Sequence, residues 1–239
     1  TPELHAAGLK ILEDFSIGPI FSPIIVAGDG GKQALLQSPG AAGGASWPGA
    51  SIDPESGYLY VQSQTRPSTM ALTKPDANRS DLDYVVKFGG ADTSTLQGLP
   101  LVKPPYRRMT AYDLNKGEIA WQIPFGDGPN KHPLIKHLDL GPLGSAFPAR
   151  VFSEGGILVT KTLLITILAD VDELNGRKVN GSFLQAYNKK TGELVASIHV
   201  DAHIHGSPMA CMSDSKQYIM VAAGGMSEPS ELLAFGLPE

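Results

Sequence analysis

At 239 residues, with 42% hydrophobic and 18% charged side chains, the chain has the composition of an ordinary globular protein and room for one large domain or two small ones. A net charge of −5, with Arg107-Arg108 and Lys189-Lys190 as isolated basic pairs, excludes a nucleic-acid footprint. The single cysteine, Cys211, excludes an internal disulfide; in the apolar run Pro208–Met212 it reads as a small buried hydrophobe rather than a catalytic thiol.

Taken in chain order, Thr1 to Phe15 predicts a helix. Thr1 can cap it, Pro2 suits its first position, and Leu4, Gly8, Ile11, Leu12 and Phe15 share one face. Strand material follows near Ile20–Val26 and Gln33–Gln37. Ser46–Asp53 and Tyr58–Ser63 read as two strands joined by the turn Asp53-Pro54-Glu55-Ser56-Gly57. From Gln64 to Pro105 the prolines, charges and Gly89-Gly90 pair predict one long loop. The longest apolar candidate, Gly156–Ala169, is interrupted by Thr160, Lys161, Thr162 and Thr166, and it falls short of the roughly 18–20 residues that span a bilayer. The chain starts at Thr1 without an initiator methionine, which predicts that an upstream segment has been removed.

The strongest organising signal is an internal repeat. Met109–Ile123 aligns with Phe183–Ile198: both read Ala-Tyr-Asp or Ala-Tyr-Asn, a turn ending Gly-Glu, then a second strand. Each copy predicts the outer hairpin of a four-stranded blade. The inner halves are Ser46–Asp53 with Tyr58–Ser63, and Ile157–Thr160 with Leu163–Leu168. A last unit comprises Ser207–Met212, Gln217–Ala223 and Glu231–Phe235. About three such blades cannot close a ring, since propellers have about four to eight; the fragment is expected to need the remainder of the propeller, upstream or in a second chain.

The first copy, with Ala111, Asp113, Gly117 and Trp121, resembles the tryptophan-docking motif of quinoprotein dehydrogenases. The second has Asn188 for the aspartate and Ala196 for the tryptophan, so weaker docking is expected there. Further stretches resemble the glucose-dehydrogenase-like branch of that family: Gly43–Val61, Lys103–Arg108, Gly155–Leu164, Gly206–Met209 and Lys216–Gly225, in order along nearly the whole chain.

The resemblance implies an all-β fold: the C-terminal part, about three blades, of an eight-bladed β-propeller with one short N-terminal helix. Segment by segment this gives a helix over 1–16, inner-blade strands over 17–63, a long loop over 64–105 and the remaining blades over 106–239. It also implies pyrroloquinoline quinone (PQQ) on the propeller axis, a calcium ion beside it, a periplasmic setting, and oxidation of a sugar or alcohol with electrons passed to a quinone or cytochrome. The catalytic aspartate and the calcium ligands are expected in the missing N-terminal part. This piece alone is therefore expected to be inactive.

Three residues are candidates for the cofactor. Ser46-Trp47 stands where the family commonly has Asn-Trp beside the quinone, and Trp47 offers an indole N–H and a flat face; a blade-packing tryptophan is the alternative. Lys161 could stabilise charge on a quinone oxygen, against the plainer reading of an exposed turn lysine. His199, Asp201, His203 and His205 alternate at period two and on one strand would share a face. They could build a metal site, although no metal is assigned to this chain; the plainer reading is a polar strand end, and His203 and His205 could border the substrate mouth. A non-catalytic scaffold propeller with the same repeats is the competing function. The stretch Gly43–Trp47 and the long Gln64–Pro105 loop favour the dehydrogenase, because a scaffold needs neither.

Overall fold

The computed structural model describes residues 1–41, 43–46, 49–89, 95–146, 155–171, 179–224 and 229–236. In chain order, helix α1 (Pro2–Leu12) is followed by strands β1 (Phe15–Ser16), β2 (Ala34–Gln37), β3 (Ala50–Asp53) and β4 (Tyr58–Gln64). Next come β5 (Ser68–Thr73), β6 (Val85–Gly89), β7 (Thr95–Leu96), β8 (Leu99–Pro100), β9 (Arg107–Asp113) and β10 (Glu118–Pro124). The last seven are β11 (Leu158–Val159), β12 (Leu163–Val171), β13 (Val179–Asn188), β14 (Leu194–Val200), β15 (Ile204–Ser213), β16 (Lys216–Ala223) and β17 (Glu231–Gly236). They fall into two compact units, Thr1–Gly44 with Thr65–Pro104, and Ala45–Gln64 with Pro105–Glu239.

In the first unit, the Thr1 hydroxyl accepts the Leu4 N–H (3.3 Å) and Pro2 opens the helix. Leu4, Ala7, Gly8, Ile11 and Leu12 lie half-buried on one side. The helix stops at Leu12, short of the expected Phe15, which is buried as the start of β1. The sheet order is β1-β2-β5-β6, parallel between β1 and β2 and antiparallel beyond, over a small core of Phe15, Ala34 and Ala71. Two sequence expectations are corrected here. Ile20–Val26 forms no strand beyond an isolated bridge from Val26 to Leu72; Pro19 and Pro23 remove ladder donors, and Phe21 is 94% exposed with φ of 69°. The stretch from Gln64 to Pro105, expected as one loop, carries β5 and β6, which complete the first sheet, and the β7–β8 hairpin. That hairpin turns through positive φ at Gln97 (52°) and Gly98 (98°), the geometry a two-residue turn needs.

The second unit holds three antiparallel sheets in the order expected from the repeat: β3-β4-β9-β10, β11-β12-β13-β14, and β15-β16-β17. They stack face to face. Tyr60, Met109, Ala111, Phe125, Leu164, Leu168 and Tyr187 fill the seam between the first two, and Ile167, Leu184, Ile204, Val221 and Ala223 the seam between the second and third. The leading strands lie side by side, β3 beside β11 and β11 beside β15. β10 and β14, outermost in their sheets, are largely exposed. This is the radial layout of propeller blades, with no closed barrel among the described residues.

The repeated turns are chemically alike. Gly57, Gly117 and Gly192 have φ of 72°, 71° and 75°, and their N–H groups return to the carbonyls of Asp53, Asp113 and Asn188 at 2.8, 2.8 and 2.9 Å. Asp113 Oδ1 also accepts the Asn115 N–H at 3.0 Å, and Asn188 Oδ1 the Lys190 N–H at 2.9 Å. Aspartate or asparagine opens the turn because its side chain can bond the backbone; glycine ends it because φ is positive.

Candidate functional site

The topology of the second unit separates two ends. β3, β11 and β15 all start at one end and turn back at the other. Ser46 precedes β3 in the chain and is exposed, and its carbonyl accepts the Gly49 N–H at 2.8 Å. Trp47 lies outside the described residues. Lys161 is exposed in the turn between β11 and β12, at the other end. Ser46 and Lys161 are thus not brought together.

At the leading end the surface is built from backbone and small residues. A side chain on Gly155, just before β11, would collide with the Gly206 carbonyl at the start of β15. A Cβ on Gly206, whose φ is 75°, would meet nothing within 4 Å. Ser51 donates its hydroxyl to the Ile157 carbonyl, which ties β3 to β11. A flat tricyclic quinone needs such a floor: close-packed backbone, little side-chain bulk and a few polar groups. The exposed backbone of Gly206, with no atom within 4 Å of its Cβ position, has that character.

Behind this surface runs a buried chain of hydrogen bonds. Arg107 donates to Gln62 Oε1 (3.1 Å), Gln62 donates to the Thr166 hydroxyl, and Thr166 donates to the Gly156 carbonyl (3.2 Å). Arg107, Gln62 and Thr166 are all buried, and the Arg107 guanidinium lies over the Phe125 ring at 4.8 Å. Every link points the same way, from a cation to a backbone carbonyl, so each bond polarises the next. Nothing in the local sequence marks this chain, because its members come from three strands in two sheets.

At the turn end the seam is clasped by Lys189. Its carbonyl accepts the Trp121 indole N–H (3.1 Å) and the Tyr60 hydroxyl (3.2 Å), and its ammonium meets Asp53 at 2.6 Å. Trp121 packs on Gly192, where a Cβ would come within 2.8 Å of its ring. The expected docking of the tryptophan onto the neighbouring blade is therefore present. Ala196, its counterpart in the second copy, is exposed. The Lys189 ammonium, followed by the hydrogen bond from Ser56, holds the Asp53 carboxyl down at about 2. Burial pushes the Tyr60 phenol up to about 12, and the Tyr187 phenol, which donates to Gln185 at 2.7 Å, higher still. A cleft of about 690 Å³ opens between the first two sheets, lined among others by Asp127, Lys131, Phe183, Gln185, Tyr187 and Ser197; Ser46, Gly155 and His205 do not line it.

The alternating histidines do not share one strand. His199 ends β14, with Nε2 at 3.2 Å from Asp170 and Nδ1 at 3.1 Å from Asp201, its ring edge-on to Phe183. His203 and His205 lie beyond the corner, at the start of β15. Among the described residues no cluster of three metal-ligating side chains forms. The two carboxylates sit on opposite nitrogens of one imidazole and so cannot converge on an ion.

Residues 1–219 match the family described as PQQ: glucose/ethanol/alcohol dehydrogenase, beta-propeller domain. The chain is 26% identical over 220 residues to the quinate/shikimate dehydrogenase (quinone) of Acinetobacter baylyi, covering 82% of this chain and 25% of that protein. It is 25% identical over 234 residues to the glycerol dehydrogenase large subunit of Gluconobacter oxydans (85% and 30%) and 24% identical over 231 residues to the quinoprotein glucose dehydrogenase of Escherichia coli (87% and 27%). The crystal structure of quinohemoprotein alcohol dehydrogenase from Comamonas testosteroni superposes with a TM-score of 0.53 at 20% identity, over 85% of this chain and 29% of that one, and so shares the fold. The chain thus spans 25–30% of the length of these curated relatives. The blade repeat, the docked Trp121 and the match over residues 1–219 together make this chain a member of the PQQ glucose/ethanol/alcohol dehydrogenase β-propeller family.

Proposed function

We propose that this chain is a sector of a quinoprotein dehydrogenase that oxidises a hydroxyl group of a sugar, polyol or alcohol in the periplasm, and that it acts only within a completed ring. The observation that carries the reading is the leading end of the second unit, where β3, β11 and β15 start side by side and Gly206 presents exposed backbone with open space above it. Bound there, PQQ would accept the hydride taken from the substrate carbon. Ser46 and Trp47 would contact the cofactor, with the hydroxyl and the indole N–H as donors. The exposed Gly206, with open space where a Cβ would stand, would leave room beside it, while Gly155 lets the Gly206 carbonyl pack close. The Arg107–Gln62–Thr166 chain would keep the Gly156 carbonyl, and with it the start of β11, from shifting when the cofactor enters. Calcium and the proton-abstracting carboxylate would come from the rest of the ring; Asp53 and Asp113 are engaged in turns.

The test is reconstitution of the intact protein with PQQ and calcium. Expected are the absorbance of the bound quinone and reduction of an electron-accepting dye with glucose, glycerol or quinate. A protein that binds no quinone and reduces no dye would instead support a scaffold propeller. Native mass spectrometry that found this chain alone, active and without a companion segment, would overturn the requirement for a completed ring.

A further inference from the structure

His205 stands at the leading end of β15, directly before Gly206, whose carbonyl packs against Gly155 at the start of the neighbouring leading strand. It is half-buried, and its Nε2 lies 2.6 Å from the Gly224 carbonyl. A carbonyl accepts only, so Nε2 carries the proton and Nδ1 keeps its lone pair in the neutral ring. Among the described residues nothing bonds Nδ1. The His203 ring packs edge-to-face on His205 with centroids 4.4 Å apart, which limits its rotation. An acceptor is therefore held in one tautomer and one orientation at the leading end of the sheet, on the face opposite the buried Ile204 and Ala223.

We propose that His205 is a substrate-binding residue: its Nδ1 accepts a hydrogen bond from a hydroxyl of a polyol or sugar, at a position other than the one oxidised. The inference rests on the quinoprotein reading. A fixed acceptor of this kind favours polyhydroxylated substrates over simple alcohols, because an analogue lacking the hydroxyl leaves it unpaired.

Two amide replacements separate the two ring nitrogens. Asparagine puts its amide near the place of Nδ1; glutamine puts its amide near the place of Nε2. In the intact, reconstituted enzyme, with whichever of glucose, glycerol or quinate it oxidises, His205→Gln is expected to raise KM about tenfold with kcat within about twofold, while His205→Asn keeps KM within about threefold. Thermal unfolding of the cofactor-free proteins is expected to rank the other way, because glutamine keeps the bond to Gly224 and asparagine loses it. An unchanged KM in His205→Gln, or a KM order that follows the stability order, would overturn the proposal and leave a purely structural histidine. Quinone absorbance of the unaltered protein is read first: its absence would overturn the quinoprotein reading itself, and this inference with it.

Discussion

The Lys189 ammonium meets the Asp53 carboxylate at 2.6 Å across the seam between two sheets, with both side chains buried and their residues 136 positions apart in the chain. Asp53 also accepts from the Ser56 hydroxyl (2.6 Å) and the Glu55 N–H (3.2 Å), so its charge is well solvated by the protein. Removing one partner strands the other without water. Lys189→Met or Asp53→Asn alone is expected to cost about 3–5 kcal/mol, and the double variant less than the sum. Denaturant unfolding of the four proteins in a double-mutant cycle checks this; additive losses would mean that the pair does not act as one.

The same pair sets an acid limit. The Asp53 carboxyl is held at about 2, below its unfolded value of about 4. A depressed carboxylate contributes stability above the unfolded value and loses it as pH falls through the folded one. Stability is therefore expected to drop between about pH 4 and pH 2, and this component of the drop to vanish in the Asp53→Asn, Lys189→Met double variant. Unfolding free energy measured across that range reads it.

Alkali acts through two of the buried phenols, Tyr60 and Tyr187. Tyr60 is raised to about 12 and Tyr187 further, against an unfolded value of about 10. Their contribution is complete below the unfolded value and is lost as pH rises toward the folded one. Tyrosinate absorbance measured through the alkaline range reads this. Tyr60 and Tyr187 should ionise only with loss of structure, and replacing both with phenylalanine should remove their share of the late absorbance.

Trp121 donates to the Lys189 carbonyl and covers Gly192. Trp121→Ala is expected to destabilise by about 3–5 kcal/mol and Trp121→Phe by less, since it keeps the ring but not the N–H. Gly192→Ala should be costly for two reasons, its φ of 75° and the 2.8 Å approach of a Cβ to the indole. Gly117→Ala isolates the first reason, because its φ is 71° and no atom lies within 4 Å of its Cβ position. Thermal unfolding of the pair gives the steric share by difference.

The fold and the candidate site were legible to different depths. The blade order followed from two aligned hairpins, since period-two strands and Asp-to-Gly turns are local patterns that each copy repeats. The docking of Trp121 followed from the resemblance of the first copy to the tryptophan-docking motif of quinoprotein dehydrogenases. Lys189 was visible only as a basic pair, though it stands where the first copy has Leu114. A charge at an apolar position of a repeat was the one signal that a buried partner existed. The histidine alternation misled for a related reason: period two shares a face only within one strand, and the corner after Val200 divides His199 from His203 and His205.

By itself the sequence determined the strand periodicity, the turn chemistry and the helix cap, because each depends on residues a few positions apart. Tertiary structure alone decided that Asp53 faces Lys189, that Gln62 bridges Arg107 to Thr166, that the Gln64–Pro105 stretch supplies strands to another sheet, and that His205 is fixed by Gly224. Those are meetings between segments far apart in the chain. They depend on how sheets stack and on which buried polar groups then find partners, and no local pattern encodes that choice.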